Sequence, residues 1–197
     1  METDWIFSDR SLETVESPEP RALRLKPRHR RCLVALKREK LADFLPPLPA
    51  PAESLHLISN GAFDYWTFVP TIIEKMERQA VAFYGSTWTM SRPNVTNMFE
   101  LFDGGKIASL AVLTGTYFKR RESSVCNTLV EGLLSRGQRF RAFSNHAKVM
   151  LLDFEADAFV LEGSANFTAN PRLEQTTIHN SRELYEFHKA WFEEMLR

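Results

Sequence analysis

The sequence predicts an α/β protein, with helices layered on both faces of a central mixed, mainly parallel sheet and an N-terminal extension in front. Three observations carry this. From residue 55 onward short apolar runs alternate with helical patterns, the rhythm of strands joined by crossover helices of about 10–15 residues. The run 107–113 is apolar almost throughout, as a strand covered on both faces must be. Three further strand candidates, 138–145, 147–154 and 158–162, follow in close succession, so the last third folds back on itself.

The elements follow in order. Up to residue 52 the chain is segregated by charge and punctuated by proline. Residues 1–20 hold six acidic side chains and Arg10, whereas 21–40 hold nine Lys/Arg against Glu39. Within the basic run the apolar residues 32–36 suit an edge strand. Pro46-Pro47-Leu48-Pro49-Ala50-Pro51 excludes helix and central strand and reads as an extended linker. These features place an extension and linker at 1–52 and the main domain at 53–197. Residues 55–59 form a strand ending in the turn pair Asn60-Gly61. Phe68, Val69, Ile72, Ile73 and Met76 give 65–78 helical spacing. A strand at 81–88, a helix at 93–102, the strand 107–113 and a helix at 123–134 follow, with Gly137 placed as a C-cap. The strands 147–154 and 158–162 are close enough for a hairpin turning at Glu155-Ala156-Asp157. Residues 182–196 close the chain as an aromatic-rich amphipathic helix.

With 197 residues there is room for one well-buried core and an appended segment, but not for two full domains. The formal net charge is zero, so only its distribution bears on partners. Cys32 and Cys126 match no zinc-ligand spacing and read as reduced thiols of a cytoplasmic protein. No apolar run is long enough to span a bilayer, and the acidic start does not resemble a signal peptide.

Chemistry concentrates at the mouth of the hairpin. His146 and Lys148 are two apart, so on an extended strand they share a face. Pairing with the returning strand brings Ser164 and Asn166, in Gly163-Ser164-Ala165-Asn166, to the same surface. Lysine charge, serine and asparagine donors and a glycine that admits close approach together suit a phosphate group. The imidazole is left as nucleophile or acid–base group.

The run His146-Ala-Lys148, then Asp153, then Gly163-Ser164-Ala-Asn166 resembles the signature of the phospholipase D superfamily, which includes phospholipases D, cardiolipin synthases, tyrosyl-DNA phosphodiesterases and small bacterial endonucleases. The resemblance covers about residue 55 to the end and implies a phospholipase-D-like α-β-α layered fold. One departure is the interval 154–162, nine residues and longer than the family's usual one; the turn at Glu155–Asp157 is expected to absorb the surplus. The family's histidine-orienting carboxylate falls on Glu174 by position. Asp153 is expected to be structural or histidine-supporting rather than directly catalytic.

The resemblance further implies two His/Lys/Asn sets per active site, where this chain has one. Single-motif members pair as homodimers with a composite site. One His146 would attack phosphorus and the partner's would protonate the leaving oxygen, with Lys148, Asn166 and Ser164 holding the phosphate. No metal or other cofactor is implied.

Other residues are less specific. Lys119, Arg120 and Arg121 follow the strand 107–113 and, with Arg136, Arg139, Arg141 and the 21–40 run, suit either a nucleic-acid path or a solvated charged face. Trp66, Trp88 and Phe167 fall near strand ends or site loops, where a ring can stack on a base or simply pack. His188 reads as a core or interface histidine and His179 as a helix-entrance residue; His29 and His56 have no partners in sequence. The first reading is a homodimeric nuclease or phosphodiesterase acting on DNA or RNA. The alternatives are a phospholipase or phosphatidyltransferase, which calls for an apolar surface or anchor that the sequence does not display, and a non-catalytic nucleic-acid-binding module. No stable membrane association is expected.

Overall fold

The apolar runs of the second half become neighbouring strands because each alternates its side chains between two covered faces. The computed structural model describes residues 30–169 and 172–197; the acidic stretch 1–20, the start of the basic run, and His29 lie outside them. The elements are α1 (Arg30–Phe44), β1 (Ser54–Ser59), a 3-10 turn (Tyr65–Thr67), α2 (Phe68–Met76), β2 (Ala82–Thr87), α3 (Arg92–Asp103), β3 (Leu110–Gly115), α4 (Thr116–Arg121), α5 (Ser123–Ser135), β4 (Arg139–Phe143), β5 (Val149–Phe154), β6 (Asp157–Gly163), β7 (Glu174–Asn180) and α6 (Arg182–Met195).

Among the described residues one sheet holds seven strands in the order β1-β7-β6-β5-β2-β3-β4. The α/β class and the mixed sheet agree with the sequence; its parallel weighting does not. Only β2–β3 and β3–β4 are parallel, and the other four contacts are antiparallel. The reason is local. Parallel neighbours need a crossover connection, which α3 supplies between β2 and β3 and α4 with α5 between β3 and β4, whereas β5, β6 and β7 follow one another as a meander and β1 closes antiparallel onto β7. β7 itself falls in what reads as a polar stretch.

Met150, Leu152 and Phe154 of β5 pack with Phe83, Leu161 and residues of α2, α3 and α5 such as Ile72, Met98 and Leu129. Val149 and Leu151 face the other way, toward Tyr185 and Phe192 of α6. Each such buried side chain contributes about 1.5–3 kcal/mol, and the result is a helix–sheet–helix sandwich. Ser181 caps α6 by accepting from the Leu184 N–H at 3.2 Å. Gly137, at φ 67°, takes the left-handed conformation that ends α5. The β5–β6 register runs unbroken from Val149↔Glu162 to Phe154↔Asp157. The surplus between Asp153 and Gly163 is therefore taken up by paired strand, not by the turn.

Residues 32–36, expected as an edge strand, lie inside α1. The helix continues far enough to seat Leu41 and, just past it, Leu45 in the main core, both buried. That gain outweighs the β-like look of the short apolar run. Lys37 Nζ reaches Asp64 Oδ2 at 3.0 Å. The proline stretch is tied down as well: Asn180 Nδ2 donates to Pro49 O at 3.1 Å and the Ala52 N–H to Asn180 O at 2.7 Å.

Candidate active site

One rim of the sheet collects the polar residues, because strands of both directions end or begin there. β2 and β3 deliver Trp88 and the Gly115–Thr116 junction from their carboxyl ends, and β4 delivers Ser144, Asn145 and His146. β5 starts at this rim, since Val149 pairs with Ser86. β6 reaches it at Gly163, opposite Thr176 of β7, and β7 starts from it at Glu174, opposite Ser59.

His146 and Lys148 lie in the segment between β4 and β5 rather than on a strand. Asn145 shapes that segment: its Oδ1 accepts from the Ala147 N–H at 3.0 Å and its Nδ2 donates to Ser86 Oγ at 2.9 Å. Ser86 Oγ in turn donates to Ala147 O at 3.1 Å. The Lys148 ammonium sits 3.1 Å from His146 Nδ1 and donates to His146 O at 2.8 Å. Burial pushes the Lys148 pKa down, while the negative charge of Glu174 works the other way.

Alternation explains how Glu174 reaches this lysine. Lys148 continues the face of Met150 and Leu152, and Glu174 that of Thr176 and Ile178, which is the same side of the sheet. Gly163 stands between them without a side chain; a Cβ there would be 3.0 Å from both the Tyr65 ring and Gln175 O. Ser164 Oγ donates to Glu174 Oε2 and accepts from the Gln175 N–H at 3.1 Å. Glu174 thus bonds Ser164 and acts electrostatically on Lys148. Asn166 Oδ1 accepts from the Trp88 N–H at 3.2 Å and faces Thr87 Oγ1 at 3.5 Å, which anchors it to the end of β2. The next residue is locked by Thr87 Oγ1, which accepts from the Phe167 N–H at 3.2 Å.

A hollow of about 340 Å³ opens beside His146, lined also by Trp88, Gly115, Thr116, Tyr117, Ser144 and Asn145. The Trp88 ring lies 5.8 Å from the imidazole and stacks on Tyr117 with centroids 4.9 Å apart. Sequence reasoning singled out Trp88 but missed Tyr117, Asn145 and Ser86. Tyr117 directly follows β3, and the rule that ligands gather at strand carboxyl ends could have found it. A second cavity of about 210 Å³, lined by Lys37, Trp66 and Asn97 among others, shares no residue with this hollow.

Several expected residues lie elsewhere. Asp153 is at the opposite rim, five residues or about 16 Å of strand from Lys148. Arg182 donates to it at 2.8 and 3.2 Å, and the Glu155 N–H at 2.9 Å. Burial opposes its charge, but these donors outweigh burial and hold its pKa below the ordinary carboxylate value. Arg141 donates to Met195 O at 2.9 Å, Arg139 pairs with Glu193 and Arg136 with Asp103. The three arginines make no path to His146, because strand alternation turns Arg139 and Arg141 toward α6. Lys119, Arg120 and Arg121 do stay exposed, in the last turn of α4 beyond Tyr117. Trp66 and Phe167 are core residues. His188 is buried as expected, 3.1 Å from Glu162. His179 lies within β7, not at a helix entrance, and shares Glu162 at 3.3 Å. His56 does have a partner, Thr177 Oγ1 at 3.2 Å. Cys126 is free and buried. Among the described residues no three His, Cys, Asp or Glu side chains stand together to hold a metal ion, and no helix is long and apolar enough to cross a membrane.

No family model and no curated protein matches the sequence, but solved structures match the fold. Nuc, a phospholipase D family member from Salmonella typhimurium, superposes with a TM-score of 0.53 at 15% identity, over 73% of this chain and 94% of its own. NucT from Helicobacter pylori gives 0.51 at 12% identity, over 73% and 96%. Phosphatidylserine synthase from Haemophilus influenzae gives 0.50 at 12%, over 73% and 38%. The architecture is therefore phospholipase-D-like.

Proposed function

We propose that this chain, having the phospholipase-D-like fold, is a phosphodiesterase that needs no metal: a homodimeric endonuclease acting on DNA or RNA through a phosphohistidine. The observation that carries the reading is the Lys148 ammonium held 3.1 Å from the His146 imidazole at the rim where Ser164, Asn166 and Glu174 gather. An ammonium has donors only, so without substrate it engages the imidazole lone pair. An arriving phosphate draws Lys148 onto its anionic oxygens and frees the imidazole to attack.

In the first step a bond forms between the imidazole nitrogen and phosphorus, and the bond to the leaving oxygen breaks. That oxygen takes a proton from the partner subunit's His146. Water then attacks phosphorus, the nitrogen–phosphorus bond breaks, and the partner's imidazole takes the water's proton. Lys148 and Asn166 of both subunits would stabilise the growing charge on the phosphoryl oxygens. Ser164 would help orient the phosphate by turning its one hydroxyl proton from Glu174 to a phosphoryl oxygen.

A second reading, a phospholipid substrate, has one observation in its favour. Phe44, Ile58 and Leu173 are exposed apolar residues around a hollow of about 600 Å³, next to Glu174 in sequence and pairing. One experiment tests both. Single- and double-stranded DNA and RNA, and phosphatidylglycerol micelles, are incubated with wild type and His146→Ala in EDTA. EDTA-resistant nucleic-acid cleavage that the variant lacks is expected. Cleavage that EDTA abolishes contradicts the mechanism, and turnover of the micelles alone moves the substrate to lipid.

A further inference from the structure

We propose that Trp88 and Tyr117 form a stacking platform for a nucleobase adjoining the scissile phosphate, so that the substrate is single-stranded or locally unpaired nucleic acid; this rests on the phosphodiesterase reading above. The two rings are parallel to within 6°, an offset arrangement that a further planar ring can extend. Trp88 is fixed from below. The Gly115 backbone lies so close that a Cβ would be 2.5 Å from Trp88 Cδ1, and the Trp88 N–H is held by Asn166. Tyr117 forms the outer end of the stack and is 45% exposed. A ring of this size left open to water at the mouth of a hollow shared with His146 is not there to fill the core.

The same helix offers charge in the right place. Arg120 and Arg121 follow Tyr117 by three and four residues, which puts them on its side of α4, and both are exposed. They can hold backbone phosphates flanking the stacked base. In a duplex both faces of every base are covered by its neighbours. A protein ring can reach one only where the strand is single or the base is turned out.

Fluorescence anisotropy with labelled oligonucleotides tests this, with cleavage followed on the same samples. Tyr117→Ala is expected to weaken binding of a single strand about tenfold, within the range for loss of one base–aromatic stack, whereas Tyr117→Phe retains it. One abasic residue walked along the strand should cost the wild type about tenfold at a single position. At that position it should cost Tyr117→Ala nothing further. Equal abasic penalties in both proteins, or unchanged binding by Tyr117→Ala, overturn the platform even if wild type cleaves. Tyr117-dependent binding without any cleavage overturns the hydrolytic reading and leaves the platform. Absence of both binding and cleavage removes both.

Discussion

At the scale of residues, the decisive relation is a cation beside an imidazole. Lys148 is partly buried, which disfavours its charge, and Glu174 restores some of that charge from the next strand but one. In the proposed mechanism this ammonium receives the substrate's anion, so Lys148→Met should lower turnover by about 10²–10³, the usual loss for one preorganised donor to a developing oxyanion. A circular-dichroism melt near that of wild type would show that the fold survives. Asp153 gives the opposite expectation. Asp153→Asn should leave turnover near wild type while costing about 1 kcal/mol in urea unfolding, a figure discounted because Arg182 is partly exposed. The folded-state pKa of Asp153 is depressed. Its contribution is therefore present above the ordinary carboxylate pKa and is lost as pH falls through the lowered value. The gap between wild type and variant should accordingly be full at neutral pH and close in acid. His146, Lys148, Ser164 and Asn166 were legible because a two-residue spacing is visible in a one-dimensional string. The Ser164–Glu174 bond and Tyr117 were not, since they depend on β7 pairing with β6 and on a single aromatic residue after β3.

At the scale of elements, the strands with apolar residues on both faces could be read and the others could not. β7 places Thr176, Ile178 and Asn180 in the core, only one of them apolar, while Gln175, Thr177 and His179 face the other side. Its identity as a strand comes from its neighbours. α4 is six residues long, too short for a helical period to show. α1 carries its evidence in Leu41 and Leu45, beyond the run that looked like a strand. Removal of residues 1–52 should lower the melting temperature well below that of a chain lacking only 1–29, because it strips two leucines from the core, about 2–5 kcal/mol each on truncation to Ala, and leaves the buried Asp64 without Lys37. Equal melting temperatures would show that α1 is dispensable. Gly115→Ala should disturb the site from the middle of its rim. The added methyl collides with Trp88 and approaches Asn145 O at 3.0 Å, an overpacking that costs about 1–3 kcal/mol and that should reduce turnover more than stability alone explains.

At the scale of the whole molecule, the mixed sheet makes the site possible. A purely parallel sheet brings only carboxyl ends to its ligand rim. Here the antiparallel β5 and β7 bring their first residues to that rim as well, so one short hairpin and the strand after it contribute Lys148, Ser164, Asn166 and Glu174. Among the described residues the resulting cluster holds one histidine, His146, and the proposed mechanism takes its second from another copy of the chain. Light scattering at micromolar concentration should report a dimer, and a monomer that retains full activity would require a second proton donor from within the chain. Nucleophilic attack by His146 would leave a covalent mark on the protein. A nitrogen–phosphorus bond survives alkali, so single-turnover cleavage in EDTA can be quenched in base and the peptide containing His146 weighed by mass spectrometry. A nucleotide adduct on His146 that rises and decays with turnover, and is absent from His146→Ala, is the expected result; EDTA-resistant cleavage with the adduct on another residue, or with none at any time during turnover, would contradict the account.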